Sequence, residues 1–261
     1  MTTGRSGTQY LAELLRSNLP DAVCYHEMLA WDRFGVDTPD LSHMTLFNSQ
    51  GNIEKVQAFW QRKLLRIAKT QTRFYAETSH LLMKSGLIEN MSPLTITDRV
   101  HFIALERDLL STIKSFRRRF DFLNIGNMWL WYLDPQYPKN LVSSAELINA
   151  GGINGVCLWY VLEIRVRAAY YTKLLAGHPK VLVHRFTLDE IRVPDGASRL
   201  LDALGCPLSP AAIKLPPPHN TGSPSVNVDE AEEDRIRQLI ATAQFDIEAM
   251  ANEAIRRNVR F

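Results

Sequence analysis

Two stretches constrain this sequence most, TRFYAETSH (72–80) and TDRVHFIALERD (97–108): each starts as an apolar strand, runs out into polar residues and is followed by helix-forming sequence. Strands that alternate with helices pair in parallel, and a parallel sheet needs helices on both faces to cover it. DAVCYHE (21–27) and KVLVHRF (180–186) read as two further strands. The expectation is an α/β fold, a three-layer αβα arrangement around a central parallel sheet. With 261 residues, 46% of them hydrophobic, the chain can bury a full core, so residues 1–261 read as one domain.

NIEKVQAFWQRKLLRIAKT (52–70) carries apolar residues at helical spacing, Val156 to Leu175 reads as a long helix, and ASRLLDALGCPLSP (197–210) as a short one closed by Gly205 and Pro207. Residues 32–52 read as irregular, and KLPPPHNTGSPS (214–225) as a surface loop. One final helix is expected, with Asp229, Glu230, Glu232 and Glu233 in its first turns and Arg256 and Arg257 in its last, matching the helix dipole at both ends.

The formal net charge of +2 is too small to argue for a nucleic-acid partner. No 18-residue apolar run is free of charge, so stable membrane insertion is not expected. Cys24, Cys157 and Cys206 lie far apart, without a CxxC pair or a His-Cys cluster at metal-ligand spacing. They read as free thiols in a reducing compartment, and the chain as soluble and cytoplasmic, with no metal site.

The N-terminal MTTGRSGTQYLAELL runs from a glycine-bracketed loop straight into an apolar helix. Gly4-Arg5-Ser6-Gly7-Thr8 lacks the GxxxxGK[ST] spacing of a nucleotide triphosphatase. The physics is still that of an anion site: glycines allow a tight turn, N–H groups converge at a helix N-terminus, and Arg5, Ser6 and Thr8 add charge and donors. In ALERDLLSTIKSFRRR (104–119), Arg107 ends an apolar strand and Ser115 follows eight residues later, inside a helix. Both could face one phosphate beyond the strand ends, where ligands of open α/β sheets bind.

Together these pieces resemble the sulfotransferase family that uses 3′-phosphoadenosine 5′-phosphosulfate. In that family a [K/R]-x-G-T loop followed by a helix binds the 5′-phosphosulfate, and Arg5-Ser6-Gly7-Thr8 is similar to it. A later strand ending in Arg-[D/N], with a Ser eight residues on, binds the 3′-phosphate, and Arg107-Asp108 and Ser115 match. CYHEM (24–28) resembles the second strand, where the carbohydrate-acting branch carries a catalytic glutamate, at the place of Glu27. YAETSH resembles the third-strand terminus, with Glu77, Thr78 and Ser79 near the transfer site, and KVLVHRFTLDEI with LGCP resembles the late strand and its close. The likeness spans roughly residues 2 to 210 in order. It departs from the family at Arg5, where many members have Lys, at Leu109, where a Pro is usual, and in a first strand that is nearly absent, so a start upstream of Met1 is expected. HNTGS (219–223) is the one candidate for the C-terminal glycine-rich contact to the 3′-phosphate.

The resemblance implies a P-loop nucleoside triphosphate hydrolase-like sulfotransferase fold with a truncated first strand. It also implies transfer of a sulfuryl group to a hydroxyl or amine of a small-molecule or carbohydrate acceptor, leaving 3′-phosphoadenosine 5′-phosphate, without metal. Gly4, Arg5, Ser6, Gly7, Thr8 and Gln9 would hold the 5′-phosphosulfate, with Arg5 stabilising the leaving phosphate, and Arg107 and Ser115 would hold the 3′-phosphate. Glu27 is the expected base and His26 its rival; neighbours in a strand point to opposite faces, so only one should face the acceptor. His80 reads as a helix cap or as a group approaching the transfer site. Trp129, Trp131, Tyr132 and Tyr137 with LWYVLE (158–163) read as core packing or as an acceptor pocket, and SFRRRF (115–120) as a solvated face with one arginine reaching the 3′-phosphate. A small-molecule kinase and a catalytically inactive binding protein of the same fold stay open.

Overall fold

The computed structural model describes residues 1–27, 38–95, 98–123, 132–217 and 228–261. The apolar alternations become four short strands, β1 (Ala22–His26), β2 (Phe74–Thr78), β3 (Val100–Glu106) and β4 (Val181–Thr187). β1 and β2 pair in parallel from Ala22↔Phe74 to His26↔Thr78, and β3 and β4 from Val100↔Val181 to Glu106↔Thr187. Among the described residues the ladders therefore form two parallel pairs, where one continuous central sheet was expected.

The N-terminal residues set the direction in which the chain enters α1. The Met1 nitrogen donates to the Ile103 carbonyl at 2.6 Å, and the Met1 carbonyl accepts from the Leu105 N–H at 3.1 Å. That is one bridge of a parallel ladder, opposite Ala104. These contacts point the chain along β3. Gly4 therefore emerges level with the C-terminal end of β3.

Among the described residues the α-helices are α1 (Thr8–Asn18), α2 (Leu41–Gln50), α3 (Glu54–Ala68), α4 (Leu87–Asn90), α5 (Ser92–Thr95), α6 (Leu109–Arg118), α7 (Ala145–Gly151), α8 (Ile153–Leu174), α9 (Leu188–Ile191), α10 (Pro194–Ala203), α11 (Glu230–Thr242) and α12 (Ile247–Arg256). The whole is a mixed α/β structure with short parallel strands. α1 buries Leu11, Leu14 and Leu15 against β1 and α10, in a core cluster that also takes in Leu105. α8, apolar on nearly all sides, is the spine of the larger cluster, as a helix without a polar face must be. Among the described residues no helix is long and apolar enough to cross a membrane, and no group of three or more His, Cys, Asp or Glu is placed to hold a metal. All three cysteines are buried and free.

Two readings of the sequence are corrected. Residues 32–52 are not irregular throughout, because α2 forms within them: the Asp40 carboxylate accepts from the His43 N–H at 3.1 Å, and His43 Nδ1 accepts from the Asp40 N–H at 3.2 Å. This capping box uses His where Glu or Gln is usual, and it starts a helix that buries Met44 and Phe47. The single C-terminal helix is two, α11 and α12, because the chain turns extended at Ala243 and Asp246 caps a new start by accepting from the Ala249 N–H at 2.8 Å. The acids of 229–233 and Arg256 thus serve different dipoles.

Beside α8, Glu89 accepts a hydrogen bond from the Tyr171 hydroxyl while its Oε2 has no partner among the described residues. Burial is the main cause that pushes its pKa from 4.5 to about 7, against the Tyr171 hydrogen bond and Arg167, which pull it down. A carboxyl with a raised folded pKa holds its proton more tightly folded than unfolded. Its contribution to stability is complete below 4.5 and is lost as pH rises through about 7. In urea unfolding at pH 5 and pH 8, Glu89→Gln is expected to lose much less stability between the two than the unchanged chain; an identical loss overturns this assignment.

Candidate functional site

The first seven residues bend sharply because three of them are left-handed: Gly4 (φ +77°), Arg5 (φ +53°) and Gly7 (φ +93°). Gly7 is the N-cap of α1; its carbonyl accepts from the Leu11 N–H at 2.9 Å, and no side chain caps the first N–H groups. A Cβ on Gly7 would sit 2.4 Å from a Leu188 methyl, and one on Gly4 would meet the His80 ring at 3.5 Å. The loop is therefore pressed between α9 and the end of β2.

Its side chains are placed unequally. Ser6 is buried and turned inward onto the Thr2 hydroxyl; Thr8 is buried and Gln9 half-buried on the first helical turn. The Arg5 guanidinium makes a fork of two 2.6 Å hydrogen bonds to Asp121. Burial works to lower its pKa, but the Asp121 hydrogen bond and charge outweigh burial and raise it. The Arg5 charge is thus matched within the protein.

Arg107, just past β3, donates from Nη1 to the Arg5 carbonyl at 3.2 Å and so ties the strand end to the loop. Burial lowers its pKa, and the Arg192 charge lowers it further, with Arg118 adding a smaller push against Asp189 and Asp108. Three guanidinium groups thus share one field. A groove of about 960 Å³ opens here, lined by Arg107, Ser111, Lys114, Arg118, Arg165 and Arg237 among others. Ser115 is half-buried on the same helix, while Ser111, one turn nearer the strand, lines the groove.

On the other side of the loop, Glu27 leaves β1 with φ +38° after its N–H donates to the Thr78 carbonyl at 3.0 Å. That left-handed residue ends the strand alternation at Glu27. Glu27 comes to 3.8 Å from His80 Nε2, and His26 Nδ1 lies 3.0 Å from the Thr78 hydroxyl. Burial pushes the His80 pKa well down, helped by the positive charges of Lys84, Arg5 and His26. Tyr132 stacks on the His80 ring at 5.4 Å.

Sequence reasoning missed Lys84 and Asp121. Lys84 is fully buried, with Nζ 3.0 Å from His80 Nδ1 and donating to the Tyr160 hydroxyl at 3.0 Å. The only signal for it was its spacing of four from His80, one turn on. Glu77, by contrast, is bound at 2.8 Å by both Lys63 and the Tyr75 hydroxyl, and Ser79 accepts from the Leu81 N–H at 3.1 Å. Both of these are structural contacts. Tyr132, Trp159 and Tyr160 are core, as one of the two readings of the aromatic group held, and Tyr137 bonds Thr45. In SFRRRF, Arg117 pairs with Glu232 at 3.1 Å while Arg118 is exposed at the groove. Trp129, Trp131 and residues 219–223 lie outside the described residues.

No protein-family model, curated protein or solved structure matches this chain.

The loop geometry is open to a direct check. Gly7→Ala meets both a left-handed backbone and the Leu188 clash, costing about 1–3 kcal/mol and lowering the thermal midpoint by roughly 3–10 °C. Gly177→Ala, also at positive φ but facing open space, is expected to lose less. Equal losses would mean that the contact with α9 does not hold the loop.

Proposed function

We propose that the chain is a sulfotransferase that moves a sulfuryl group from 3′-phosphoadenosine 5′-phosphosulfate to a hydroxyl or amine of a small-molecule or carbohydrate acceptor, on a P-loop-like sulfotransferase fold. One observation carries this reading: Arg107, at a strand end, hydrogen-bonds the loop at the start of α1 across 102 residues of sequence. Two separate anion-binding elements thereby become one basic surface at the strand ends, beside a carboxylate and a neutral imidazole.

The residues fit such a donor. The first N–H groups of α1, which no side chain caps, follow a positive-φ loop and suit an anion. Gly4, Arg5, Ser6, Gly7, Thr8 and Gln9 would hold the 5′ end, Ser6 chiefly through its main chain, since its hydroxyl is turned inward. Arg107 and Ser115, with Arg118 and Arg192 adding to the field, would hold the 3′-phosphate, which a guanidinium fork matches in shape. When bound, the donor supplies an activated sulfuryl group with a phosphate leaving group. The chain's own work is positioning and charge. Glu27 takes the acceptor's proton, and His80 and Arg5 set the field around its carboxylate. His26, fixed on Thr78, is the rival base.

A second reading, a binding protein that keeps the spent donor and transfers nothing, is favoured by the fork that commits Arg5 to Asp121. Calorimetry with 3′-phosphoadenosine 5′-phosphate, beside an ATP-magnesium control, separates donor classes. Micromolar binding is expected, weakened about 10- to 100-fold in Arg107→Ala and a few-fold in Ser115→Ala. Tighter ATP-magnesium binding would favour a kinase. In a transfer assay with an acceptor panel, Glu27→Gln is expected to lower kcat by about 10²–10⁴ with little change in donor affinity. Binding without transfer in the unchanged chain selects the second reading.

A further inference from the structure

Lys84 is the polar group at this site that the proposed function leaves without a task. A lysine with no exposed surface is costly to bury and needs partners that repay desolvation. Its Nζ lies 3.0 Å from His80 Nδ1 and 3.0 Å from the Tyr160 hydroxyl, above the faces of Tyr132 at 5.5 Å and Tyr160 at 5.2 Å. The Tyr160 hydroxyl spends its one proton on the Thr3 carbonyl, 3.0 Å away, so its oxygen receives from Lys84. The donation chain runs from Lys84 through Tyr160 to the stub that carries the anion loop.

We propose that Lys84 is a positioning residue: held by Tyr160, it donates to Nδ1 of His80 and fixes the imidazole with its proton on Nε2, aimed at the Glu27 carboxylate. The two sides of the ring agree on this tautomer. On the Nδ1 side a charged lysine has no lone pair and calls for one on the ring; burial and Arg167 lower the Lys84 pKa, and Glu27 works to keep the charge. On the Nε2 side the carboxylate oxygen, at 3.8 Å too far for a direct hydrogen bond, favours an N–H edge over a lone pair by charge. The opposite tautomer sets a lone pair against the carboxylate. Of the groups facing the ring, Lys84 from the turn after β2, Arg5 from the loop and His26 from β1 disfavour an imidazolium, and Glu27 favours it. His80 is thus a neutral imidazole whose Nε2–H faces Glu27 and orients its carboxylate by charge. As the base role of Glu27 comes from the proposed function, the effect on turnover rests on that reading; the tautomer does not.

The test is long-range ¹⁵N–¹H NMR on the full chain with ¹⁵N-labelled histidine, the His80 signals being assigned by their loss in His80→Gln. The unchanged chain is expected to show His80 neutral from pH 5 to 8, with Nε2 protonated and Nδ1 an acceptor. An Nδ1–H tautomer, or an imidazolium in that range, overturns the proposal without recourse to any variant. In Lys84→Met, with fold checked by the amide spectrum, His80 is expected to populate both tautomers and to titrate at higher pH than before. A His80 spectrum unchanged in Lys84→Met also overturns it. If Lys84→Met does not fold, Tyr160→Phe, which removes only the hydroxyl anchor, is read in its place with the same two outcomes. Should transfer be measurable, Lys84→Met is expected to lower kcat by on the order of a hundredfold and shift its pH profile, leaving 3′-phosphoadenosine 5′-phosphate affinity within about twofold. Absence of transfer in the unchanged chain, with the Nε2–H tautomer present, removes the sulfotransferase reading and leaves the placement of His80 standing.

Discussion

The left-handed turn at Gly4 and Arg5, closed by Gly7, is the constraint on which the rest of the site depends. Met1 fixes where that turn begins through its bridge to β3, and Leu188 fixes where it ends, because only a glycine fits beneath that methyl. Between those points the chain must reverse within a few residues, and the reversal turns the Arg5 carbonyl to Arg107 while aiming the Arg5 side chain the other way, at Asp121. Loop, strand end and helix start are thereby one rigid piece.

Charge is distributed around this piece in two unlike halves. On the β3 side burial, and after it the charges of Arg192 and Arg118 against Asp189 and Asp108, lowers the Arg107 pKa. On the β1 and β2 side, Glu27, His80 and Lys84 are buried or half-buried, and His80 is kept neutral. The groove at the end of β3 carries five basic residues against Glu106, Asp108 and Glu233, while the other half pairs a partly exposed carboxylate with a buried imidazole. The Arg5–Asp121 fork stands at the join and matches one guanidinium, whose charge still bears on His80.

Much of the fold was legible because its signals are local. Strand alternation at 72–80 and 97–108, apolar spacing in α3 and α8, and Gly205 after α10 each reflect a preference that a few neighbours satisfy. The errors came where a cap was written in unusual residues: His43 in the box of α2, and Asp246 starting a new helix with neither Gly nor Pro before it. The sequence reading set Arg107 beside Ser115 and did not anticipate its bond to the loop, since the acceptor is the Arg5 carbonyl and a main-chain acceptor leaves no trace in residue identity.

The sequence by itself determined the α/β alternation, the glycine-bracketed turn at the head of α1, and the arginine at the end of β3, because each depends on the backbone preferences of a few adjacent residues. Only the tertiary structure decided that Glu27 turns out of its strand toward His80, that Asp121 takes up Arg5, and that a buried lysine stands behind the imidazole. Those outcomes join residues as far apart as 116 positions. Burial sets their strength, and burial belongs to the packed whole and not to any stretch of the chain.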